Sequence, residues 1–453
     1  MTCKEKKVMD MTTGSPLRLI LLFSIPLIIG NIFQQFYTIV DTMVVGRVLG
    51  VTALAALGSV DTINWITTGA VLGMTQGFGI LIAQKFGDKN VHQLNRIIRN
   101  SLLLSACLAV VLLVVVQLAI NPFLVLLQVP SEIMPFSRLY LRILISGIPI
   151  SIAYNMQAVI LRSLGDSRSP LTAMVIATLT NIMLDILFVV FFRWGIVGAA
   201  AATLIAQFVS ASYCATRIAK IELIHLTFDN LKPDPDWTIP MLKLGLPLAF
   251  QNMVISLGGM VLQSVIDSFG VLVIAGSTAT NKLYGILESA ALAYGYAMTT
   301  YVGQNYGAQK YTRIRKGVKT ANIISVFSCV FIAFITISFG KSFLGFFISG
   351  TPEEVSTTMD YAYGFLRDMS LFLPTLYLIH ILRSVLQGIG HTVMTMTSGI
   401  VELVIRIIVA LTLPFIFGPG ILFYAHILAW IGSDVALIIS YFYIQRGFAE
   451  DTV

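Results

Sequence analysis

Charged side chains are scarce in this 453-residue chain: 11% of it, against 57% hydrophobic. Ordinary soluble domains carry roughly 25% charged residues. A water-soluble core could not hide so much apolar surface, whereas lipid can act as its solvent. Cysteine is sparse too, with Cys3, Cys107, Cys214 and Cys329 only. No CxxC or metal-type spacing exists, which excludes a zinc or redox motif and leaves the cysteines as structural residues. GxSxG, P-loop and dinucleotide signatures are all missing, so neither acyl-transfer chemistry nor direct use of ATP is indicated. His380, His391 and His426 do not sit at metal spacing with carboxylates. No enzyme activity, cofactor or resident metal is expected. The net charge of +7 invites a nucleic-acid partner. The basic residues are scattered in short loops between apolar runs, however, which points to membrane lipid instead.

What is abundant is apolar sequence long enough to cross about 30 Å of hydrocarbon. Such runs fall near 16–47, 53–84, 94–120, 134–163, 169–193, 196–221, 239–268, 272–305, 314–339, 356–389, 393–418 and 420–445. The first is too long for the h-region of a cleavable signal. The expected fold is therefore an all-α membrane protein of twelve spans. Lys and Arg weight the terminal and even-numbered loops, among them Lys85, Lys89, Arg96, Arg162, Arg217, Lys310, Arg313 and Arg383. The opposite side has Arg47, Arg138, Arg142, Arg193, Lys341 and Arg367. This bias predicts both termini in the cytoplasm of an inner-membrane protein.

The chain also repeats itself. Pro26 matches Pro247, AQKFG at 83–87 matches GQNYG at 303–307, and LRSLGDS at 161–167 matches LQGIGHT at 386–392. A nearly constant offset argues duplication. Six spans per copy give the copies one orientation, with a pseudo-twofold axis along the membrane normal. The expected domains are a six-helix lobe at 1–221, a cytoplasmic linker at 222–238, polar and carrying two prolines, and a second lobe at 239–453.

Polar residues at bilayer depth mark function more often than structure. In the first span, Asn31, Gln34, Thr38 and Asp41 share one helical face, and upstream Pro26 permits a bend. In the fifth span, Thr178, Asn181 and Asp185 share another. Carboxylate, amide and hydroxyl oxygens suit a hard monovalent cation, or a proton whose release the neighbours tune. The competing reading is that each acid merely glues helices together. The sixth span opens GIVGAAAATLIAQ at 195–207, small residues for close packing, with Thr203 as its polar member. The second half carries Lys282, Glu288 and the pair Glu402 and Arg406, four apart and able to form an internal ion pair.

Taken together, VDTMVVGRVLG at 40–50, AQKFG, LRSLGDSRSP at 161–170 and TNIMLDILFVV…GIVGAAAATLIAQ at 180–207 resemble the multidrug and toxic compound extrusion (MATE) transporters, over nearly the whole chain. The resemblance implies a cation-coupled antiporter, driven by H⁺ or Na⁺, that alternates between inward-open and outward-open V shapes and exports amphipathic, often cationic small molecules. In the DinF-like branch, Asp41, Asn181, Asp185 and Thr203 fall on the cation-coupling positions. Gln34 and Tyr37 lie beside them, and Pro26 matches the proline at which the first helix bends. A bound Na⁺ would use Asp41, Asn181 and Asp185. The NorM-like branch adds a glutamate in the seventh span, but residues 247–266 hold no carboxylate here. A central cleft lined by Tyr37, Met156, Tyr284 and Tyr294 is expected, in a monomer. The alternative is a flippase for a lipid-linked or amphipathic metabolite, which resembles this family in outline and would need a cationic cleft.

Overall fold

The computed structural model describes residues 8–127, 129–225, 232–348 and 350–450. Cys3 and the middle of the 222–238 linker lie outside them. Fourteen α-helices follow in order: α1 Pro16–Leu49, α2 Val51–Gly87, α3 Val91–Leu126, α4 Met134–Ser146, α5 Ile148–Ser163, α6 Arg168–Asp185, α7 Gly195–Ile218, α8 Pro235–Asp267, α9 Val271–Gly307, α10 Tyr311–Leu344, α11 Pro352–Leu371, α12 Leu373–Ile389, α13 Thr392–Phe417 and α14 Tyr424–Glu450. They make twelve membrane spans. Among the described residues, nine helices are individually long and apolar enough to cross a bilayer. The pairs α4–α5 and α11–α12 each form one broken span, bent by 45° at Gly147 and by 50° at Phe372. These two breaks occupy equivalent positions of the repeat, as do Ser163 and Gly388. The remaining span, α9, has Lys282, Glu288 and many hydroxyls. It lies in the protein interior, where lipid makes no demand on it, and buries Ala291, Ala293, Met298 and Tyr301 completely.

Lipid-facing helices show the opposite pattern. On α3, Val110, Val114 and Leu118 are exposed, as are Phe327, Phe331 and Phe334 on α10. In a membrane this surface meets acyl chains, so its exposure carries no hydrophobic penalty. The second half begins earlier than the hydropathy indicated, at Pro235 rather than 239. Asp234 caps α8 by accepting from the Asp236 amide, Pro235 takes the first-turn position where its missing N–H is harmless, and Arg96 of α3 pairs with Asp234 at 2.7 Å.

The two halves are interlaced through their first helices. Early α1 (Ile20, Phe23, Leu27) is buried in a core built from α9, α10 and α12, whereas Val45 near its end belongs to a core of α2–α5 and α7. Early α8 does the converse: Met241 and Ala249 pack with Met74, Phe78 and Met156 of the first half, and Leu262 and Ile266 with Val409 of the second. Between halves, α2 and α8 cross at small residues. A Cβ on Gly73 would lie 2.3 Å from the Ala249 nitrogen, and one on Gly77 would lie 2.4 Å from the Gly245 Cα. Only glycine lets the backbones come this near. Toward the other ends of these helices contact is lost, with nothing within 4 Å of a Cβ built on Gly58 or Gly259. The halves are closed at the basic, terminus-bearing end and splayed at the opposite end.

Candidate functional site

The splayed region is entered by the polar face of α1, which does not serve a single purpose. Asn31 donates to the Ser289 carbonyl of α9 at 3.1 Å, and Gln35 lies against Gly285. Gln34 and Thr38 are exposed. One turn on, Tyr37 and Asp41 turn to the first half. α1 runs as one helix through Pro26, and at Gly30 it lies so close to α6 that a Cβ would meet Met174 Sδ at 3.1 Å.

Asp41 and Asp185 lie within hydrogen-bonding reach of each other, and both are buried. Asn181, also buried, donates through its amide nitrogen to Asp185 Oδ2 at 2.8 Å, and its oxygen accepts from the Thr203 backbone amide at 3.3 Å. The Tyr37 and Thr203 hydroxyls are 3.3 Å apart, and Thr203 Oγ1 also donates to the Ala199 carbonyl at 3.1 Å. Asp185 Oδ1 is enclosed with no hydrogen-bond partner among the described residues. Two carboxylates this close and dehydrated repel each other unless they share a proton or a cation sits between them.

Local sequence explains this convergence. A Cβ on Gly198 of α7 would lie 3.1 Å from the Phe188 Cβ just beyond α6, and Ser210 Oγ donates to the Ala173 carbonyl of α6 at 3.1 Å. After Asp185 the helix widens into a π segment, Ile186–Phe191, which hydropathy does not reveal. Such insertions re-aim neighbouring side chains and recur at functional sites. Phe188 and Trp194 stack at 4.7 Å, and Gly195, at φ 61°, allows the turn into α7. The structure thus assembles Asp41, Asn181, Asp185, Thr203 and Tyr37 from three helices.

Two residues expected in the cleft are core instead. Met156 is fully buried with Met74, Phe78 and Ile160, because the bend at Gly147 turns α5 into the first half. Tyr294 is buried on α9, its hydroxyl hydrogen-bonded to Ser328 at 2.8 Å and its ring beside Tyr377. Tyr284 is half-buried and stacks on Trp430 at 6.0 Å.

In the second half, Glu402 and Arg406 do pair, but with a third member. Arg383 donates to Glu402 Oε2 at 2.6 Å, to Ser433 Oγ and through Nε to Ser398 Oγ. Counting Arg383 among the loop cations was wrong: it is buried within α12. Its flanks, LIHIL and SVLQGIG, are apolar enough to have signalled this. Asp434, a lone acid within the apolar run IGSDVALIIS, is buried as well and escaped the sequence reading. Glu288 lies 4.0 Å from His380. Among the described residues no group of three or more His, Cys, Asp or Glu could hold a metal ion.

Comparison with known proteins agrees with this architecture. The MatE family model matches residues 26–187 and again 247–412, one copy per half. The chain is 28% identical over 398 residues to "Probable multidrug resistance protein YpnP" of Bacillus subtilis, covering 87% of this chain and 88% of that one. A MOP superfamily transporter from Pyrococcus furiosus, described by the reverse polarity of its binding pocket, superposes with a TM-score of 0.89 at 23% identity, covering 98% and 99% of the two chains. The outward-facing conformation of a multidrug resistance MATE family transporter superposes with a TM-score of 0.88 at 22% identity, covering 99% of each. The chain belongs to the MatE family, the multidrug-efflux MATE transporters, and is a multi-pass membrane transporter rather than an enzyme.

Proposed function

We propose that the chain is an antiporter of the cell's inner (cytoplasmic) membrane that couples inward movement of H⁺ or Na⁺ to export of amphipathic, often cationic compounds. It acts as a monomer, with both termini in the cytoplasm and no cofactor beyond the coupling ion. The observation that carries this reading is the Asp41–Asp185 pair in its dehydrated setting with Asn181 and Thr203. Its oxygens suit a proton or a desolvated monovalent cation. The buried acid of the second half, Glu402, is already paired with both Arg383 and Arg406 and has less reason to bind a cation. Loading the pair discharges it, which favours a different seating of α1 against α6 and α7. Drug and cation affinities then fall reciprocally, as linkage requires. The name of the Bacillus subtilis relative supports a multidrug role. The basic loops at the terminus-bearing end support the orientation.

The flippase reading needs free cationic groups to hold a lipid-linked phosphate. Arg383 and Arg406 are engaged with Glu402 and so disfavour it. The test is drug flux in sealed vesicles with the proton and sodium gradients collapsed separately. Flux indifferent to both gradients would refute coupling, and flux of a lipid-linked saccharide instead of drug would favour the flippase.

A further inference from the structure

The repeated motifs AQKFG and GQNYG take no part in the Asp41 site. They lie at the ends of α2 and α9, at the closed end of the seam. Gln84 of α2 donates to the Gly388 carbonyl of α12 at 2.9 Å, and Gln304 of α9 donates to the Ser163 carbonyl of α5 at 2.9 Å. Ser163 and Gly388 are themselves equivalent in the LRSLGDS and LQGIGHT motifs. Each half therefore reaches across and binds the same carbonyl of the other. One turn further on, a Cβ on Gly87 would lie 1.9 Å from the Gln304 carbonyl oxygen, and one on Gly307 would lie 1.8 Å from that of Gln84. Both duplicated glycines are thus required for the two chain ends to meet.

A third element overlies this crossing. The Met11 amide donates to Gln304 Oε1 at 2.8 Å, while Asn305 and Arg313 both donate to the Met11 carbonyl at 3.1 Å. Lys310 holds the Thr12 carbonyl at 3.0 Å. On the other half, the Met9 carbonyl lies where a Cβ on Gly165 would be, 2.2 Å away. The segment before α1 thus spans the seam. Beneath it a cavity of about 30 Å³ is lined by Gln76, Arg162, Ser163, Tyr296 and Thr299, enough for about one or two waters.

We propose that this crossed pair of glutamines, latched by residues 9–14, is the clasp that keeps the transport cleft shut on the cytoplasmic side, and that its release is the step that opens the cleft to the cytoplasm. The chemistry suits a reversible closure. At the crossing itself the halves are held by amide–carbonyl bonds and backbone contact. On opening, each freed amide and carbonyl can bond water, so the net loss per bond is small. A greasy seam would expose apolar area with every cycle. The cytoplasmic assignment rests on the orientation proposed above; the clasp itself does not.

The test is thiol labelling of a cysteine-free version carrying Thr299→Cys, beneath the clasp, or Gln34→Cys, in the splayed region. A membrane-impermeant maleimide is applied to inverted and to right-side-out vesicles. With Gln84→Ala, Thr299→Cys should label about fivefold faster in inverted vesicles, the change expected for one lost neutral hydrogen bond, and with Gln304→Ala, which loses two, faster still. Gln34→Cys should label more slowly in right-side-out vesicles. Gly307→Val, or removal of residues 1–12, should move both rates the same way and further. Unchanged Thr299 labelling in all of these overturns the proposal. Faster labelling at both reporters overturns it too, since that is general loosening. If the two rates move oppositely but from the other faces, the clasp stands and the orientation is reversed.

Discussion

Tyr37 and Thr203 meet hydroxyl to hydroxyl at 3.3 Å, joining the first and sixth spans directly beside the two carboxylates. The contact closes one wall of the Asp41–Asp185 pocket and ties the position of α1 to that of α7. Discharging or recharging the acids alters the polarity at this junction. A site of this kind can therefore report its occupancy as a change in helix seating, without any large element having to unfold.

Neutralising either acid should separate function from folding. Asp41→Asn and Asp185→Asn keep the shape of the pocket and remove its charge. Coupled efflux is expected to fall at least tenfold, while thermal stability in detergent stays near that of the parent. Efflux assays beside melting curves decide it, and retained coupling in both variants would remove the role given to the pair.

Glu402 should behave in the opposite way. Glu402→Gln leaves Arg383 and Arg406 buried without their counter-charge, a loss of about 3–5 kcal/mol when one partner of a buried ion pair is removed. Low expression and a lower melting temperature are expected before any specific transport defect. A stable, well-expressed Glu402→Gln protein that no longer transports would place the coupling site in the second half.

Ligand affinity should follow the occupancy of the pair. Drug and cation compete in the proposed cycle. Lowering pH loads a proton and should weaken drug binding, which recovers as pH rises; adding Na⁺ at fixed pH should weaken it likewise if Na⁺ is the coupling ion. Binding titrations over about pH 5–9, with and without Na⁺, should show this dependence for the parent and its loss in Asp41→Asn.

Tyr284 and Met156 should part company. Met156→Ala opens a cavity in the first-half core and is expected to cost about 2–5 kcal/mol without altering which compounds are exported. Tyr284→Ala removes a half-buried ring that stacks on Trp430 and should shift relative resistance among drugs of different shape. Resistance profiles measured at matched expression distinguish the two.

Helix number and the repeat were legible because both have one-dimensional causes. A bilayer demands about 20 consecutive apolar residues, and every span but α9 meets that demand in broken or unbroken form. Duplication leaves matched motifs at a nearly constant offset. The polar face of α1 and that of α6 were legible for a similar reason, since helical periodicity alone groups Asn181 with Asp185. Arg383 was not, because a cation near a span's end looks the same in sequence whether it lies in water or beside Glu402. Met156 and Tyr294 were misplaced because a Met or Tyr in an apolar run carries no sign of which neighbour it faces.

The sequence by itself determined that the chain crosses a membrane twelve times, in two like-oriented halves, with acids at bilayer depth in the first. Those features follow from local hydropathy and from short-range helical geometry. Only the tertiary structure decided that Asp41 meets Asp185, that a π segment follows Asp185, that α1 and α8 each serve both halves, and that Gln84 and Gln304 bind crosswise at the closed end. Each of these depends on which helix faces of distant segments come together. That choice is made by small-residue contacts such as Gly73 against Ala249, whose meaning appears only when both partners are in place.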